Sequence, residues 1–292
     1  MIKKIIAIAA SLAPNFLKIP MYKLVGYKIG KNVKIKPLTL LLANKVNIGD
    51  NVNIGALNIF KMNKLEVGKN STIRSLNMII GPKSLKLGER VQIVGPFTFM
   101  NLAEDIELGD RSGLGSHSIF YTHGVYLPYT EGHPRKFGKI KLGKNVWSPA
   151  HVTILPGVNI GDDSIISAGS LINSSFPKNS LISGNPAKRI SKASYVKAKM
   201  TEEKLQERIS EIIEDFMRSK NIKDMKIQIQ KGISKIQIQK YDEVILFGEN
   251  ISNTKEKNTS IFDIEKRKMK IGGKLGKDFF NHLETYGEYF DE

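Results

Sequence analysis

Five histidines are the side chains of this sequence best suited to proton transfer. Imidazole ionises near neutral pH, so it can accept or donate a proton under physiological conditions. Three of the five fall between residues 117 and 133, and the other two lie further along the chain. The histidines are His117, His123, His133, His151 and His282. The chain has no cysteine, which excludes a cysteine nucleophile, a thiolate zinc site, an iron–sulfur cluster and a disulfide scaffold.

A repeat surrounds most of these histidines and must position them. A pair made of an aliphatic residue and glycine recurs seven times along the chain. The glycines of the seven pairs are Gly30, Gly49, Gly68, Gly88, Gly109, Gly143 and Gly161, so all intervals are similar except the long one between Gly109 and Gly143. Late in the run, isoleucines recur every six residues, at positions 154, 160, 166 and 172.

A period of six residues is typical of a short strand followed by a tight corner. Three such units make one triangular coil, in which the aliphatic side chains point inward and stack between coils. Glycine or asparagine at a corner relieves the steric cost of a positive φ. The long interval between Gly109 and Gly143 therefore predicts one coil plus an inserted loop of about 16 residues between Ile119 and Ile140.

The amino-acid sequence of the late coils resembles that of the hexapeptide-repeat acyltransferases, and most closely that of the maltose- and galactoside-type sugar O-acetyltransferases. Four segments carry the resemblance: Tyr121-Thr122-His123, Gly143-Lys144-Asn145-Val146-Trp147, Ile154-Leu155-Pro156-Gly157-Val158-Asn159-Ile160-Gly161-Asp162 and Gly184-Asn185-Pro186-Ala187-Lys188-Arg189. The resemblance implies an all-β left-handed parallel β-helix over residues 25–191. We expect an N-terminal helical segment, residues 1–24, and a small α+β appendage, residues 192–292.

The resemblance also implies an activity, the transfer of acetyl from acetyl-CoA to a sugar hydroxyl, with a surface-polysaccharide precursor as the expected acceptor. His123 then corresponds to the family's general base in the inserted loop, although the family has two more residues before its histidine. His117 is the second candidate, as the base, as a group that orients the base, or as a corner residue. His133 is expected to contact substrate or solvent, and His151 to be structural.

Donor binding is implied for the late coils. In the family the pantetheine arm lies in a groove between two subunits of a trimer, which places Ala150 and Ala168 against acetyl-CoA here. Lys188 and Arg189 fall where the family binds phosphate, with a solvated basic end of the β-helix as the alternative. Trp147 is predicted either to be part of the core or to form a flat wall for the ligand.

A metal site is not expected. The gamma-type carbonic anhydrases use the same β-helix and hold zinc with three histidines from neighbouring coils and subunits. Here no histidine precedes His117, so the upstream ligand of that arrangement is missing.

The net charge of +17 predicts an anionic partner. Residues 1–191 carry a net charge of +15 and residues 192–292 only +2. Nucleic acid is not the expected partner, because no aromatic and basic stacking motif falls on an identifiable platform. No apolar run approaches the ~20 residues of a membrane-spanning helix. Because coenzyme A thioesters are cytoplasmic, we expect a cytoplasmic protein that is peripheral on the inner face of the membrane if it binds lipid.

The N-terminal segment combines a basic start with a short apolar stretch. A secretory signal is one interpretation, but cleavage after Ala13 would leave Pro14 next. Ile5, Leu12 and Phe16, together with Ala9, instead mark one helical face. That pattern favours either a helix lying on an anionic membrane surface or a cap over the open end of the β-helix.

The C-terminal region does not continue the repeat. Its pattern predicts a helix over residues 201–218, strands at 226–230 and 235–239 around Gly232, further strands at 244–247 and 260–264, and a closing helix over 278–290.

Two other functions stay open from the sequence. An N-acetyltransferase acting on an amino sugar would use the same base and the same donor site. A non-catalytic β-helix that binds an anionic glycan or a membrane would account for the basic charge, because several functions share this fold.

Overall fold

The computed structural model describes residues 2–125, 127–197, 199–221, 225–230, 233–238, 243–249, 251, 258–286, 288 and 290. The chain divides into two compact units, Met1–Lys197 and Ala198–Glu292. Within the described residues, no helix is both long enough and apolar enough to cross a bilayer.

Two helices open the first unit, α1 (Ile2–Leu12) and α2 (Asn15–Leu24). The sequence pattern predicts one continuous helical face across both. The structure interrupts it because Pro14 is extended, with φ −63° and ψ 156°, and its ring disfavours helical backbone at the preceding residue.

Short strands make up the rest of the first unit. They are β1 (Lys28–Ile29), β2 (Lys34–Ile35), β3 (Leu40–Ile48), β4 (Asn53–Ile54), β5 (Ile59–Val67), β6 (Thr72–Ile73), β7 (Met78–Ile80), β8 (Ser84–Leu87), β9 (Gln92–Ile93), β10 (Phe99–Asn101), β11 (Ile106–Leu108), β12 (Gly113–Leu114), β13 (Ile119–Tyr121), β14 (His123–Gly124), β15 (Lys136–Phe137), β16 (Ile140–Leu142), β17 (Trp147–Ser148), β18 (Thr153–Ile154), β19 (Asn159–Ile160), β20 (Ile165–Ile166), β21 (Leu171–Ile172), β22 (Ser180–Gly184) and β23 (Ala187–Lys192). Two 3-10 turns, Tyr129–Glu131 and Ala193–Val196, complete the unit.

The strands stack as three parallel faces. The first face contains β1, β8, β11, β16 and β19, the second runs from β2 to β22, and the third contains β7, β10, β13, β18 and β21. The long strands β3 and β5 pass from the third face to the first. Each coil pairs with the next in register, so that Ile29 lies beside Ile48 and Ile35 beside Ile54. The predicted hexapeptide-repeat β-helix is confirmed.

The aliphatic residue of each repeat points into the coil, as the period predicts. Ile54, Ile93, Ile154 and Ile166 are all fully buried. Their side chains form one continuous apolar column, whose burial stabilises the stack by about 1.5–3 kcal/mol for each large side chain.

The first corner, between the first and second faces, has the predicted asparagine at five of its eight left-handed positions and arginine or aspartate at the other three. Its left-handed positions, with φ of 53–59°, are Asn32, Asn51, Asn70, Arg90, Arg111, Asn145, Asp163 and Asn179. Asparagine tolerates this backbone. Its amides also bond between coils, with Asn32 Nδ2 donating to Asn51 Oδ1 at 3.2 Å.

The second corner, between the second and third faces, was not predicted to be unusual. Its left-handed residues, with φ of 58–67°, are Leu38, Leu57, Leu76, Phe97, His117 and His151. Bulky residues in this backbone region each store strain of order 1–3 kcal/mol, and such strain concentrates at functional sites. The column of αL residues ends at Gly169, where a positive φ of 72° carries no side-chain penalty.

The N-terminal helices cover the open end of the first coil. Asn15 Nδ2 donates to Val33 O at 3.1 Å, and Asn15 Oδ1 accepts from Ile35 N at 2.9 Å. Lys18 is fully buried, and its Nζ donates to Ile35 O and Lys36 O, both at 3.0 Å. These bonds satisfy main-chain groups that would otherwise have no coil to pair with, so the segment forms a cap, which is one of the two alternatives that the sequence left open.

Lys18→Met should destabilise the first unit by about 1–3 kcal/mol, because two carbonyls lose their donor. Burial lowers the pKa of the Lys18 amine. Between that lowered pKa and the ordinary value, the unfolded chain binds more protons than the folded one, so stability rises with pH. Denaturant unfolding of both proteins from neutral to alkaline pH should show this rise in the parent and not in Lys18→Met.

The second unit is an α+β structure. Its elements are α3 (Glu202–Lys220), β24 (Met225–Gln230), β25 (Ile233–Ile238), β26 (Glu243–Gly248), β27 (Thr259–Asp263), β28 (Lys268–Lys270) and α4 (Lys274–Thr285). The strands form one five-stranded sheet in sequence order, antiparallel except for the parallel pair β26 and β27. The helix at 201–218 and the four predicted strands are found, whereas β28 was missed and Gly232 lies outside the described residues.

The closing helix begins four residues earlier than the sequence predicts. The buried Glu243 carboxylate accepts hydrogen bonds from Leu275 N at 2.9 Å and Gly276 N at 3.3 Å. It thereby satisfies donors of the first turn of α4 that have no intrahelical acceptor. The sequence did not show this cap, because Glu243 is remote in the chain from the helix it stabilises.

Candidate active site

His123 lies on a hairpin inserted at the third corner, between the third and first faces. The hairpin pairs β14 with β15 in antiparallel fashion, with His123 opposite Phe137 and Gly124 opposite Lys136. This insertion lies where the long interval between Gly109 and Gly143 predicts it. It joins the end of β13 to the start of β16, so the coils on either side of it stay in register.

Thr122 fixes the base of the hairpin. Its buried hydroxyl donates to Asn101 O at 2.7 Å and accepts from Glu104 N at 2.9 Å. Gly138 N donates to the Thr122 carbonyl at 3.0 Å. Because Thr122 is tied both to the coil below and to Gly138 at the other end of the insertion, the residue that follows Thr122 has little freedom to move.

The His123 ring is partly exposed and packs against Phe137, with the ring centroids 5.7 Å apart. Its Nδ1 is buried and has no hydrogen-bond partner among the residues that the structure describes. Buried polar atoms in folded proteins almost always have a partner, from protein, water or a bound molecule. The hairpin therefore holds the His123 imidazole in place, and the Nδ1 atom of that ring lacks a hydrogen-bond partner among the described residues.

His117 and His151 stack on each other at the second corner. Their ring centroids are 4.8 Å apart with 13° between the planes, and Phe97 lies 5.2 Å from His117 on the coil below. Both histidines are exposed, and His151, which the sequence suggested to be structural, stacks on His117 at the surface. Phe97 was missed, although its separation from His117 along the chain matches the repeat.

The predicted donor residues gather on the second face and second corner. Ala150 and Ala168 occupy equivalent corner positions one coil apart, and the Ala150 carbonyl accepts from Gly169 N at 3.2 Å. Trp147 is 44% exposed and its ring lies over Gly113, where any Cβ would collide with it. Of the two alternatives for Trp147, the structure favours a flat surface wall over a core position.

Lys188 and Arg189 lie at the end of the same face. They belong to β23, which pairs with β22 so that Lys188 is opposite Ser183 and Arg189 is opposite Ile182. Both side chains are exposed. We call Trp147, Ala150, Ala168, Lys188 and Arg189 the donor strip.

The structure separates the two histidine candidates. His117 precedes β13 at the second corner, and His123 follows it on the third-corner hairpin. A strand of three residues spans roughly 10 Å. Within one chain, His117 is therefore beside the donor strip, whereas His123 is not.

Two further side chains near His123 were not anticipated. Phe137 packs on the His123 ring, and the Arg135 guanidinium lies 4.5 Å from the Phe137 ring centroid.

His133 follows the 3-10 turn of the insertion, and its Nε2 lies 3.9 Å from a Glu131 carboxylate oxygen. Among the described residues, no group of three or more His, Asp or Glu side chains is close enough together to hold a metal ion.

Comparison with known proteins finds relatives with acyltransferase names, while no family model matches the chain. "Putative acetyltransferase YvoF" of Bacillus subtilis is 32% identical over 111 residues, which are 38% of this chain and 56% of YvoF. "Putative acetyltransferase SAR2635" of Staphylococcus aureus is 42% identical over 74 residues, 22% of this chain and 37% of SAR2635. The chain thus spans about half or less of the length of these curated relatives.

Among solved structures, AntD of Bacillus cereus has a TM-score of 0.45 and 23% sequence identity, covering 72% of this chain and all of AntD. AntD is an N-acyltransferase, solved in complex with dTDP and 3-hydroxybutyryl-CoA.

Proposed function

We propose that this hexapeptide-repeat β-helix protein is an acyl-CoA-dependent acyltransferase that moves acetyl from acetyl-CoA to a sugar hydroxyl, with a surface-polysaccharide precursor as the acceptor. The observation that carries the proposal is His123, an imidazole fixed on the inserted hairpin with a buried Nδ1 that has no partner among the described residues. The names of the curated relatives support the same reaction class.

The proposed reaction requires only one residue that accepts and then donates a proton. Neutral His123 accepts the proton of the acceptor hydroxyl while that oxygen attacks the thioester carbonyl, forming the new ester bond. The carbon–sulfur bond then breaks, and the imidazolium returns the proton to the departing thiolate of coenzyme A. Because acyl passes directly from donor to acceptor, the absence of cysteine does not obstruct the reaction.

Acetyl-CoA, as co-substrate, is proposed to lie along the donor strip. Ala150 and Ala168 leave room for the pantetheine arm beside main-chain groups, and Trp147 offers a flat wall. Lys188 and Arg189 supply positive charge for the phosphates at the end of the strip. The stacked His117 and His151 border the same corner, so His117 is proposed to position substrate.

The site is proposed to form between two copies of the chain in a homotrimer. His123 and the donor strip lie at different corners of one β-helix, so one chain does not bring base and donor together. In a closed ring every subunit uses the same two surfaces, and we place the third corner of each copy against the second corner of the next.

The test is acetyl-CoA turnover by the full chain, followed by release of free thiol, against a panel of hydroxyl and amino sugars. Turnover that needs a sugar hydroxyl supports the proposal. Turnover only with an amine would make the protein an N-acetyltransferase. No turnover with any acceptor, combined with saturable binding of an anionic glycan, would contradict the proposal and favour a non-catalytic β-helix.

Lys188→Ala should raise the KM for acetyl-CoA roughly fivefold, the scale of an exposed charge contact, with little change in kcat. The same substitution should raise the KM for the dephospho-CoA thioester less than the KM for acetyl-CoA, because the dephospho compound lacks a phosphate that Lys188 could contact. Lys141→Ala is the matched control, since it removes an exposed lysine from the first face. If KM is the same in Lys188→Ala and the parent, Lys188 does not contact the donor.

A further inference from the structure

The outer face of the N-terminal helices is apolar and open to solvent. Phe16 is 74% exposed and Leu24 is 81% exposed. The large apolar side chains of this surface, which we call the apolar face, are Ile5, Ile8, Leu12, Phe16, Leu17 and Leu24. Isolated apolar residues on a surface are ordinary, but six within twenty residues form a concentrated patch that is typical of an interaction site.

Capping the first coil does not account for this face. The residues that contact the β-helix are on the opposite side of the same helices, where Ala7, Ala10, Lys18 and Tyr22 are all buried. Tyr22 donates to Thr39 O at 3.3 Å, which adds to the bonds from Lys18. The segment therefore has two sides, one that closes the β-helix and one with no partner in the described part of the chain.

The charge of the residues around the apolar face indicates which kind of partner that face would contact. Residues 1–49 contain nine lysines and no aspartate or glutamate, so they supply more than half of the net charge of +17. Lys23, next to Leu24 in the chain, lines an open groove in which three lysines, Lys23, Lys28 and Lys69, outnumber the two carboxylates of Asp50 and Glu89. An exposed apolar face within strongly basic surroundings is the pattern of segments that lie in the interface of an anionic bilayer.

We infer that the N-terminal end of the β-helix docks on an anionic membrane surface. The apolar face enters the boundary between headgroups and acyl chains, while the lysines around it meet lipid phosphates. Docking and capping use opposite sides of the same helices, so the two functions are compatible. This inference does not depend on the proposed acyltransferase activity.

A second copy of the chain is a less suitable occupant. Two such faces brought together would bring two strongly basic N-terminal regions together, with no aspartate or glutamate in residues 1–49 of either copy to balance them. Anionic lipid neutralises this charge and receives the apolar side chains at the same time.

The experiment is sedimentation of the full chain with vesicles of phosphatidylcholine alone and of phosphatidylcholine mixed equally with phosphatidylglycerol. Binding should need the anionic lipid and weaken as salt rises, because the Debye length shortens to ~8 Å at physiological ionic strength. Phe16→Glu and Leu24→Glu should each weaken binding at least roughly tenfold. Lys23→Gln and Lys28→Gln should each weaken it about fivefold.

Point substitutions are preferable to deletion, because removing the helices would also uncover the first coil. Tyr195→Glu and Val196→Glu are the matched controls, since they add the same charge at exposed apolar residues outside this end of the β-helix. Unchanged binding in these controls supports docking through the apolar face. The inference is overturned by equal binding to both kinds of vesicle, or by no binding to anionic vesicles at low salt. Self-association that Phe16→Glu abolishes, without vesicle binding, would equally overturn it.

Discussion

Replacing His123 with alanine is expected to lower kcat for acyl transfer at least ~100-fold, the usual contribution of a general base. The acceptor hydroxyl would have no group to take its proton as it attacks. The fold should survive, because the His123 ring is partly exposed and Thr122, not His123, ties the hairpin to the coil. Thiol release under saturating acetyl-CoA measures the loss, and thermal unfolding checks that the protein is intact.

His133→Ala is the matched comparison for kcat, since it removes a histidine from the same insertion that is expected to contact substrate or solvent but not to transfer a proton. Its kcat should stay within a few-fold of the parent. His117→Ala should affect KM more than kcat if His117 positions substrate. Near-normal turnover in His123→Ala, together with a large loss in His117→Ala, would show that His117 is the base.

Much of the fold could be predicted from the sequence, because each repeat of six residues corresponds to one strand and one corner of a coil. Ile154, Ile160, Ile166 and Ile172 recur every six residues, and all four are fully buried. The second corner could not be predicted in the same way. Leucine and phenylalanine are not residues that favour a positive φ, so nothing in the types of Leu38, Leu57, Leu76 and Phe97 marked them as corner residues.

The grouping of the candidate site residues could be predicted only in part. His117 and His123 are six residues apart in the chain, which is one repeat unit and predicts successive corners of one coil for them. The corners of the β-helix direct them to different edges, and only the folded structure shows that His117 joins His151, which belongs to the next coil. The burial of His123 Nδ1 depends on the folded insertion, which has no repeat from which to derive it.

Co-expressing two inactive variants should restore activity if base and donor strip come from different copies of the chain. One variant is His123→Ala, which keeps the donor strip. The other is Ala168→Trp, which keeps His123 and fills the strip with a large ring. Ala168 is exposed, so the tryptophan should be tolerated by the fold. His123→Ala alone is expected to retain about one hundredth of the parent's turnover or less, the scale of a lost general base. Ala168→Trp alone should also have low turnover, because its ring fills the place proposed for acetyl-CoA.

Co-expressed in equal amounts, the two variants assemble at random into closed rings. A site is intact only when its histidine comes from an Ala168→Trp chain and its donor strip from a neighbouring His123→Ala chain. For random assembly this holds at about a quarter of the sites, whatever the number of subunits in the ring. Turnover per chain should thus rise to about a quarter of the parent's, far above either variant alone. If the site were contained in one chain, every site of the co-expressed protein would carry one of the two substitutions, and no activity would return. Mixing the purified variants without subunit exchange gives the baseline, and failure of co-expressed hetero-oligomers to exceed it would contradict the shared site.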